Sequence, residues 1–232
     1  VNTLKYCKLP MPIFISVHNI VSPKNRPAYL KEKRGFCFLA SQNNNYLLPI
    51  TKYTYRKILQ FGYPRHRVFI QRMGVNLPIK GNASKKLSHN VRKFIFLIVA
   101  RFIEKKGINV ALRAVRLLIA ENKKMNFKLV IIGDGILKTK IDQMINKFGI
   151  GSFVKITGKL PRDKVKNWMI NSDCLIVPSK LSSTGEEEEG LPVVILEAMS
   201  LGLPVIASRH AAIPEVISNG ETGFLVPENN PA

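Results

Sequence analysis

From residue 93 onward, short β-rich runs alternate with runs of helical period, and this alternation restricts the possible folds more than any other feature. Phe94 to Val99 reads as a strand, and Ile108, Ala111, Leu112, Val115 and Leu118 form one apolar face of a helix over 108–121. Lys128 to Ile132 is the next strand, and Leu137, Ile141, Met144, Ile145 and Phe148 mark the helix after it. The series continues with Phe153 to Thr157, a helix opened by Pro161 and carrying Val165 and Trp168, and Cys174 to Val177. A helix over 192–201, Pro204 to Ala207, a short helix at Pro214 and Phe224 to Val226 complete it. This order predicts an α/β fold with a doubly wound, mainly parallel sheet and helices on both faces.

Before residue 93 the pattern thins. Ile13 to Val17, Leu47 to Ile50 and Val68 to Gln71 read as strands, and Lys52 to Gln60 as a helix ending near Gly62. A polar stretch follows, with Pro78, Gly81 and three lysines. The expected organisation is the tail of one Rossmann-like domain over 1–76, a linker over 77–92 and most of a second such domain over 93–232. The chain starts at Val1 without a secretory n-region and stops soon after a strand, so both ends are expected to be cuts in a longer protein.

Charge and composition narrow the function classes. The longest apolar runs, such as Phe94 to Ala100, fall far short of the roughly 18 residues needed to cross a bilayer. Cys7, Cys37 and Cys174 are widely spaced with no CxxC pair, which fits a reducing cytosol and argues against a disulfide framework or a zinc site. Of the net +21, residues 1–92 carry 17 Lys or Arg against one acid, a balance of +16. Such a surplus suggests an anionic partner: nucleic acid, an acidic membrane face or a phosphate-bearing substrate. Lysine-rich decoration of solvated faces is the plain alternative. No aromatic-basic run or zinc-finger spacing supports the nucleic-acid reading.

The segment Glu189-Gly190-Leu191-Pro192-Val193-Val194-Ile195-Leu196-Glu197 carries the most chemistry. Pro192 suits the first helical position and Gly202 the stop, and Val193, Val194, Ile195, Leu196, Ala198 and Met199 make the helix apolar on nearly every side. Glu197 is the exception. A carboxylate among such neighbours needs hydrogen-bond donors, supplied either by protein groups or by the hydroxyls of a ligand. Glu189 and the free amides of 190–192 would lie at the positive end of the helix dipole.

In open parallel sheets, ligands bind beyond the carboxyl ends of the strands. Arg101 and Lys106 follow the first strand of the series, Gly133-Asp134-Gly135 the second, Lys159 the third, and Pro178-Ser179 leads from the fourth into the Glu189 loop. An Arg fork and a Lys point charge beside a helix start make a diphosphate clamp.

Here the sequence resembles the family 4 glycosyltransferases of the GT-B fold. The matching stretches are Ala100 to Gly107, Ile132 to Gly135, Thr157 to Leu160, Glu189 through Val205, Ile213 to Val216 and Gly220 to Pro227, with Leu48 to Thr51 and Arg72 to Asn76 upstream. Within the family it looks most like enzymes that build colanic acid, amylovoran and related exopolysaccharides. The resemblance implies retaining transfer of a hexosyl unit from a UDP- or GDP-sugar to a glycan or lipid-linked acceptor, with no cofactor. Carried over, Arg101 and Lys106 would hold the diphosphate, Glu197 the ribose hydroxyls, and the Gly158-Lys159-Leu160 segment the base. Gly133 would join the donor site. Glu189 would contact the sugar with Gly190, Leu191 and Pro192 around it, and His18 would face the sugar from the acceptor domain. Cationic side chains and the helix dipole would stand where other transferases use a metal, and no Asp-x-Asp occurs. A cytoplasmic protein, docked at the anionic inner face of the membrane, is expected.

Ala100, Asn76 and Thr51 stand where the family usually has Gly, Asp and Ser. The first half of the acceptor domain and the helical tail have no counterpart, so weak donor binding and poor turnover are expected of this chain. Two other readings compete: a basic nucleic-acid-binding module, and a dinucleotide oxidoreductase. The latter needs a Gly-x-Gly-x-x-Gly turn, and Gly133-Asp134-Gly135 is followed at the sixth position by Lys138.

Overall fold

The computed structural model describes residues 12–18, 26–42, 44–76, 93–121, 125–183 and 190–232. The linker read over 77–92, Cys7 and the acids from Glu186 to Glu189 lie outside them. Two compact units form. The first takes the described residues up to Gly74 together with those of Leu181–Leu191 and Ala211–Val216; the second takes those of Val75–Lys180, Pro192–His210 and Ile217–Ala232.

The first unit contains β1 (Ile13–Val17), α1 (Arg26–Ser41), β2 (Asn45–Pro49) and α2 (Lys52–Gln60). β1 and β2 pair in parallel, from Ile13 opposite Asn45 to Val17 opposite Pro49. Leu47 and Ile58 are fully buried at the centre of a core that Phe36, Leu39, Phe61, Tyr63 and Val68 complete. α1 is an element that the sequence pattern did not disclose. Gly35 lies inside it, and only Phe36 and Leu39 of its sixteen residues are buried, so its apolar face is narrow. The strand expected at 68–71 is reduced to a single bridge between Leu47 and Val68, although the Phe69 and Gln71 amides still donate to the Leu47 and Pro49 carbonyls at 3.0 Å.

The second unit runs β3 (Phe94–Val99), α3 (Ile108–Glu121), β4 (Phe127–Ile132), α4 (Lys138–Phe148), β5 (Val154–Gly158), α5 (Arg162–Asn171), β6 (Cys174–Val177), α6 (Val193–Ser200), β7 (Val205–Ser208) and β8 (Phe224–Val226). All six strands are parallel, in the order β5-β4-β3-β6-β7-β8. The chain therefore builds outward from β3 in one direction and then from β6 in the other, the doubly wound arrangement expected from the alternation. Leu97, Leu129, Ile131, Leu112 and Phe102 are fully buried where α3 packs on the sheet.

α6 packs against β6 and β7, with Ile195 and Ala198 buried and Val193 exposed. Among the described residues no helix is long and apolar enough to cross a membrane.

Candidate active site

Because the six strands run the same way, the loops leaving β3, β4, β5 and β6 emerge at one edge of the sheet, and the strand order reverses between β3 and β6. These loops are fastened to one another through their backbones. A Cβ on Gly133 would lie 1.9 Å from the Ala100 carbonyl oxygen, and the Gly133 amide donates to the Gly158 carbonyl at 3.0 Å. The Phe102 amide donates to the Asp134 carbonyl at 2.8 Å, and the Leu137 amide to the Phe102 carbonyl at 3.0 Å. Gly107, at φ +64°, sits so close to the β6 exit that a Cβ would meet the Pro178 carbonyl oxygen at 1.8 Å. Beside it the Lys180 amide donates to the Lys105 carbonyl at 2.9 Å, and Lys180 pairs with Glu104 at 3.5 Å.

The rim so formed carries Arg101, Lys106, Gly133 and Lys159. Arg101 and Lys159 are exposed, and Lys106 is half-buried in the 3₁₀ turn that leads through Gly107 into α3. Guanidinium and ammonium groups around a helix start supply donors and positive potential suited to an anion of diphosphate size. The same contacts speak against a dinucleotide loop. Gly133 and Gly135 are required by their closeness to the backbone of 100–102, where a Cβ on Gly135 would lie 2.8 Å from Phe102 atoms.

Pro192 is the N-cap of α6, not its first helical residue, because the Pro backbone is extended there with ψ 113°. Five positions on, the Glu197 carboxylate accepts a hydrogen bond from Arg162 Nη2 at 3.3 Å. Of the two kinds of partner open to Glu197 in the sequence, the structure supplies a protein one. The Arg162 side chain is 78% exposed and that of Glu197 30%, so the pair is well screened and contributes less than about 1 kcal/mol. Such a partner exchanges readily for another donor. A cavity of about 280 Å³ adjoins the pair, lined also by Val75, Asn76, Met169 and Leu201. Arg162 starts α5 directly after Lys159-Leu160-Pro161, with Leu160 half-buried, so the partner of Glu197 stands three positions after Lys159 in sequence.

In the first unit, exposed His18 follows the C-terminal end of β1, with its Nε2 at 3.0 Å from the Ser16 hydroxyl. Gly190 is buried against it: a Cβ there would lie 2.2 Å from the His18 carbonyl oxygen and 3.7 Å from Thr54 Oγ1. Any side chain at 190 would push the loop away from His18. Leu191 is half-buried beside Gly190, and Glu189 lies outside the described residues. The structure thus groups Arg101, Lys106, Gly133, Lys159, Leu160, Pro192 and Glu197 in the second unit, and His18, Gly190 and Leu191 in the first.

Sequence reasoning missed two residues here. Arg162 gave no signal because its partner is 35 positions away. Glu215 stood within a recognised stretch but without a role. Its carboxylate accepts from the first two amides of α2, Lys52 at 2.9 Å and Tyr53 at 2.6 Å, across more than 160 positions of sequence.

Comparison with known proteins identifies the family and the fold. The family described as "Glycosyl transferases group 1" matches residues 80–232. The amylovoran biosynthesis glycosyltransferase AmsK of Erwinia amylovora is 32% identical over 231 residues, covering 99% of this chain and 55% of that protein. The putative colanic acid biosynthesis glycosyltransferase WcaL of Salmonella typhimurium is 32% identical over 184 residues, covering 79% of this chain and 44% of that one. The chain thus spans about half the length of the curated relatives it matches. Among solved structures, Anabaena HepE in complex with UDP superposes with a TM-score of 0.75 at 18% identity, covering 95% of this chain and 59% of that one. TarM gives 0.75 at 19%, covering 95% and 41%. These two likenesses concern the fold alone. With the family matched over about two thirds of its length, on the half that carries the cationic rim and Glu197, this chain belongs to the group 1 glycosyl transferases.

Proposed function

We propose that the protein is a retaining hexosyltransferase that moves a sugar from a UDP- or GDP-linked donor to a glycan or lipid-linked acceptor during exopolysaccharide assembly. The single observation that carries this reading is the fastened rim of the second unit, which holds Arg101 and Lys106 at the start of α3, with Lys159 leaving β5 and Glu197 paired to Arg162 at the start of α5. Arg101 and Lys106 bind the donor diphosphate and stabilise the charge that grows on it as the glycosidic bond breaks. Glu197 exchanges Arg162 for the ribose hydroxyls, and Gly158, Lys159 and Leu160 receive the base. His18 and the Glu189-Gly190-Leu191 loop handle the transferred sugar. Cationic side chains take the part of a metal in this scheme, and no cofactor enters it. HepE in complex with UDP, and the names of AmsK and WcaL, support the donor class and the polysaccharide setting.

The test is calorimetric titration of the intact protein with a panel of UDP- and GDP-sugars, alongside Arg101→Ala and Glu197→Ala. Each substitution is expected to weaken nucleotide binding at least tenfold while leaving the thermal transition in place. Unchanged affinity in both variants would sink the reading.

A further inference from the structure

Glu215 stands out among the residues to which the proposed transfer gives no part. It ends a short 3₁₀ turn, Ile213–Glu215, yet its carboxylate bridges the first two amides of α2. Those amides have no partner within their own helix, and a carboxylate at a helix N-terminus satisfies both a hydrogen-bond need and the dipole. The same helix start is capped a second time, by buried Thr51, whose hydroxyl oxygen accepts from the Thr54 amide at 3.0 Å. Thr51 serves the third amide of the helix and Glu215 the first two, but Glu215 reaches them from a segment more than 160 positions away. What it adds is an anchor for the segment 211–216.

That segment leads to the loop next to His18. The Ala212 amide donates to the Gly190 carbonyl at 3.1 Å, and Gly190 is the residue pressed against the His18 carbonyl and close to Thr54. Ala211, just before Ala212, is held at φ +47°, a left-handed conformation that a residue with a Cβ rarely adopts and keeps only when its surroundings enforce it. An anchor four residues downstream supplies that enforcement.

We propose that Glu215 is a positioning residue: its grip on the α2 N-terminus fixes the 211–216 segment, which through Ala212 holds Gly190 in register with His18. The proposal deepens the transferase reading and rests on it. Glu215 touches no donor group; it sets the loop that does. Because the anchor and its target lie in the first unit, while Arg101, Lys106 and Glu197 lie in the second, loss of the anchor acts on sugar handling and spares nucleotide binding.

The experiment compares the intact wild type with Glu215→Gln and Glu215→Ala. Hydrogen exchange is followed by mass spectrometry, UDP and GDP affinities by calorimetry, and nucleotide release is measured from UDP-glucose, UDP-galactose and GDP-mannose. In Glu215→Ala the Ala212 amide is expected to exchange at least tenfold faster, with β3 and β4 amides unchanged. Nucleotide affinity should stay within twofold while kcat falls at least tenfold. Glu215→Gln, which keeps one acceptor oxygen for the α2 amides, should lose less. Unchanged exchange at Ala212, an unaltered kcat, or a parallel loss of kcat and nucleotide affinity would each overturn the proposal. A wild type that binds neither nucleotide overturns the transferase reading and with it the catalytic part of this proposal, whereas the exchange result decides the anchoring independently.

Discussion

Gly107 shows how single residues hold the rim together. With a left-handed φ and the Pro178 carbonyl where its Cβ would be, it joins the exits of β3 and β6 by backbone contact alone. Gly107→Ala therefore meets both backbone strain and a clash with a carbonyl that the Lys180–Lys105 hydrogen bond keeps in place. We expect a loss of at least about 2 kcal/mol, read as a lower Tm, together with weaker nucleotide binding. Arg162→Ala should behave oppositely, moving stability by less than about 0.5 kcal/mol, because its pair with Glu197 is screened. Burial pushes the Cys174 thiol up from about 9 to about 11, and burial also raises Tyr63 despite the nearby Arg67 guanidinium. Both groups hold their protons longer when folded than when unfolded, so stability is full below the ordinary thiol range and declines as pH climbs from about 9 towards 11. Denaturant unfolding at a series of alkaline pH values measures that slope, and Cys174→Ser should flatten it. At this scale the position of Arg101 and Lys106 between β3 and α3 was legible because the strand and helix on either side have strong periods. The sequence was silent on Arg162 and Glu215, whose partners are distant along the chain and whose contacts exist only once the loops have met.

Elements were legible where an apolar period was strong. α3 covers 108–121 and α2 covers 52–60, as their hydrophobic spacing indicates, and the parallel strands fall within a residue or two of the β-rich runs. α1 escaped notice because Gly35 and a narrow buried face blur its period, and 68–71 misled because β-branched and aromatic residues promise a strand that only one bridge realises. The apolar composition of α6 matches its packing against β6 and β7, where Ile195 and Ala198 are buried. The start of α2 gives an element-scale prediction. Thr51 stands where relatives of this family usually have Ser, and either hydroxyl can accept from the Thr54 amide, so Thr51→Ser should be nearly neutral. Thr51→Ala should lower stability by about 1 kcal/mol, measured by chemical denaturation, with α2 amides losing hydrogen-exchange protection first.

Across the whole molecule, the positive charge is concentrated in residues 1–92, where 17 basic residues face one acid. Docking to an anionic bilayer, each basic residue near the surface contributing about 1 kcal/mol, would bring the enzyme to a lipid-linked acceptor. Sedimentation with vesicles containing phosphatidylglycerol is expected to retain the protein at low salt and release it at high salt; indifference to anionic lipid would remove the docking idea. The sequence conveyed the alternating architecture, whereas the two compact units of the structure do not follow chain order. The polypeptide passes between the two units five times, at Gly74, Lys180, Leu191, His210 and Val216. Chimaeras between relatives, joined once after Gly74, would carry two short stretches, 181–191 and 211–216, raised alongside a different neighbour. Gly190 would then face an unfamiliar His18 loop, and Glu215 an unfamiliar helix. Grafts that exchange all three pieces should fold and express better than grafts cut at a single point, and natural recombination within such enzymes faces the same restriction.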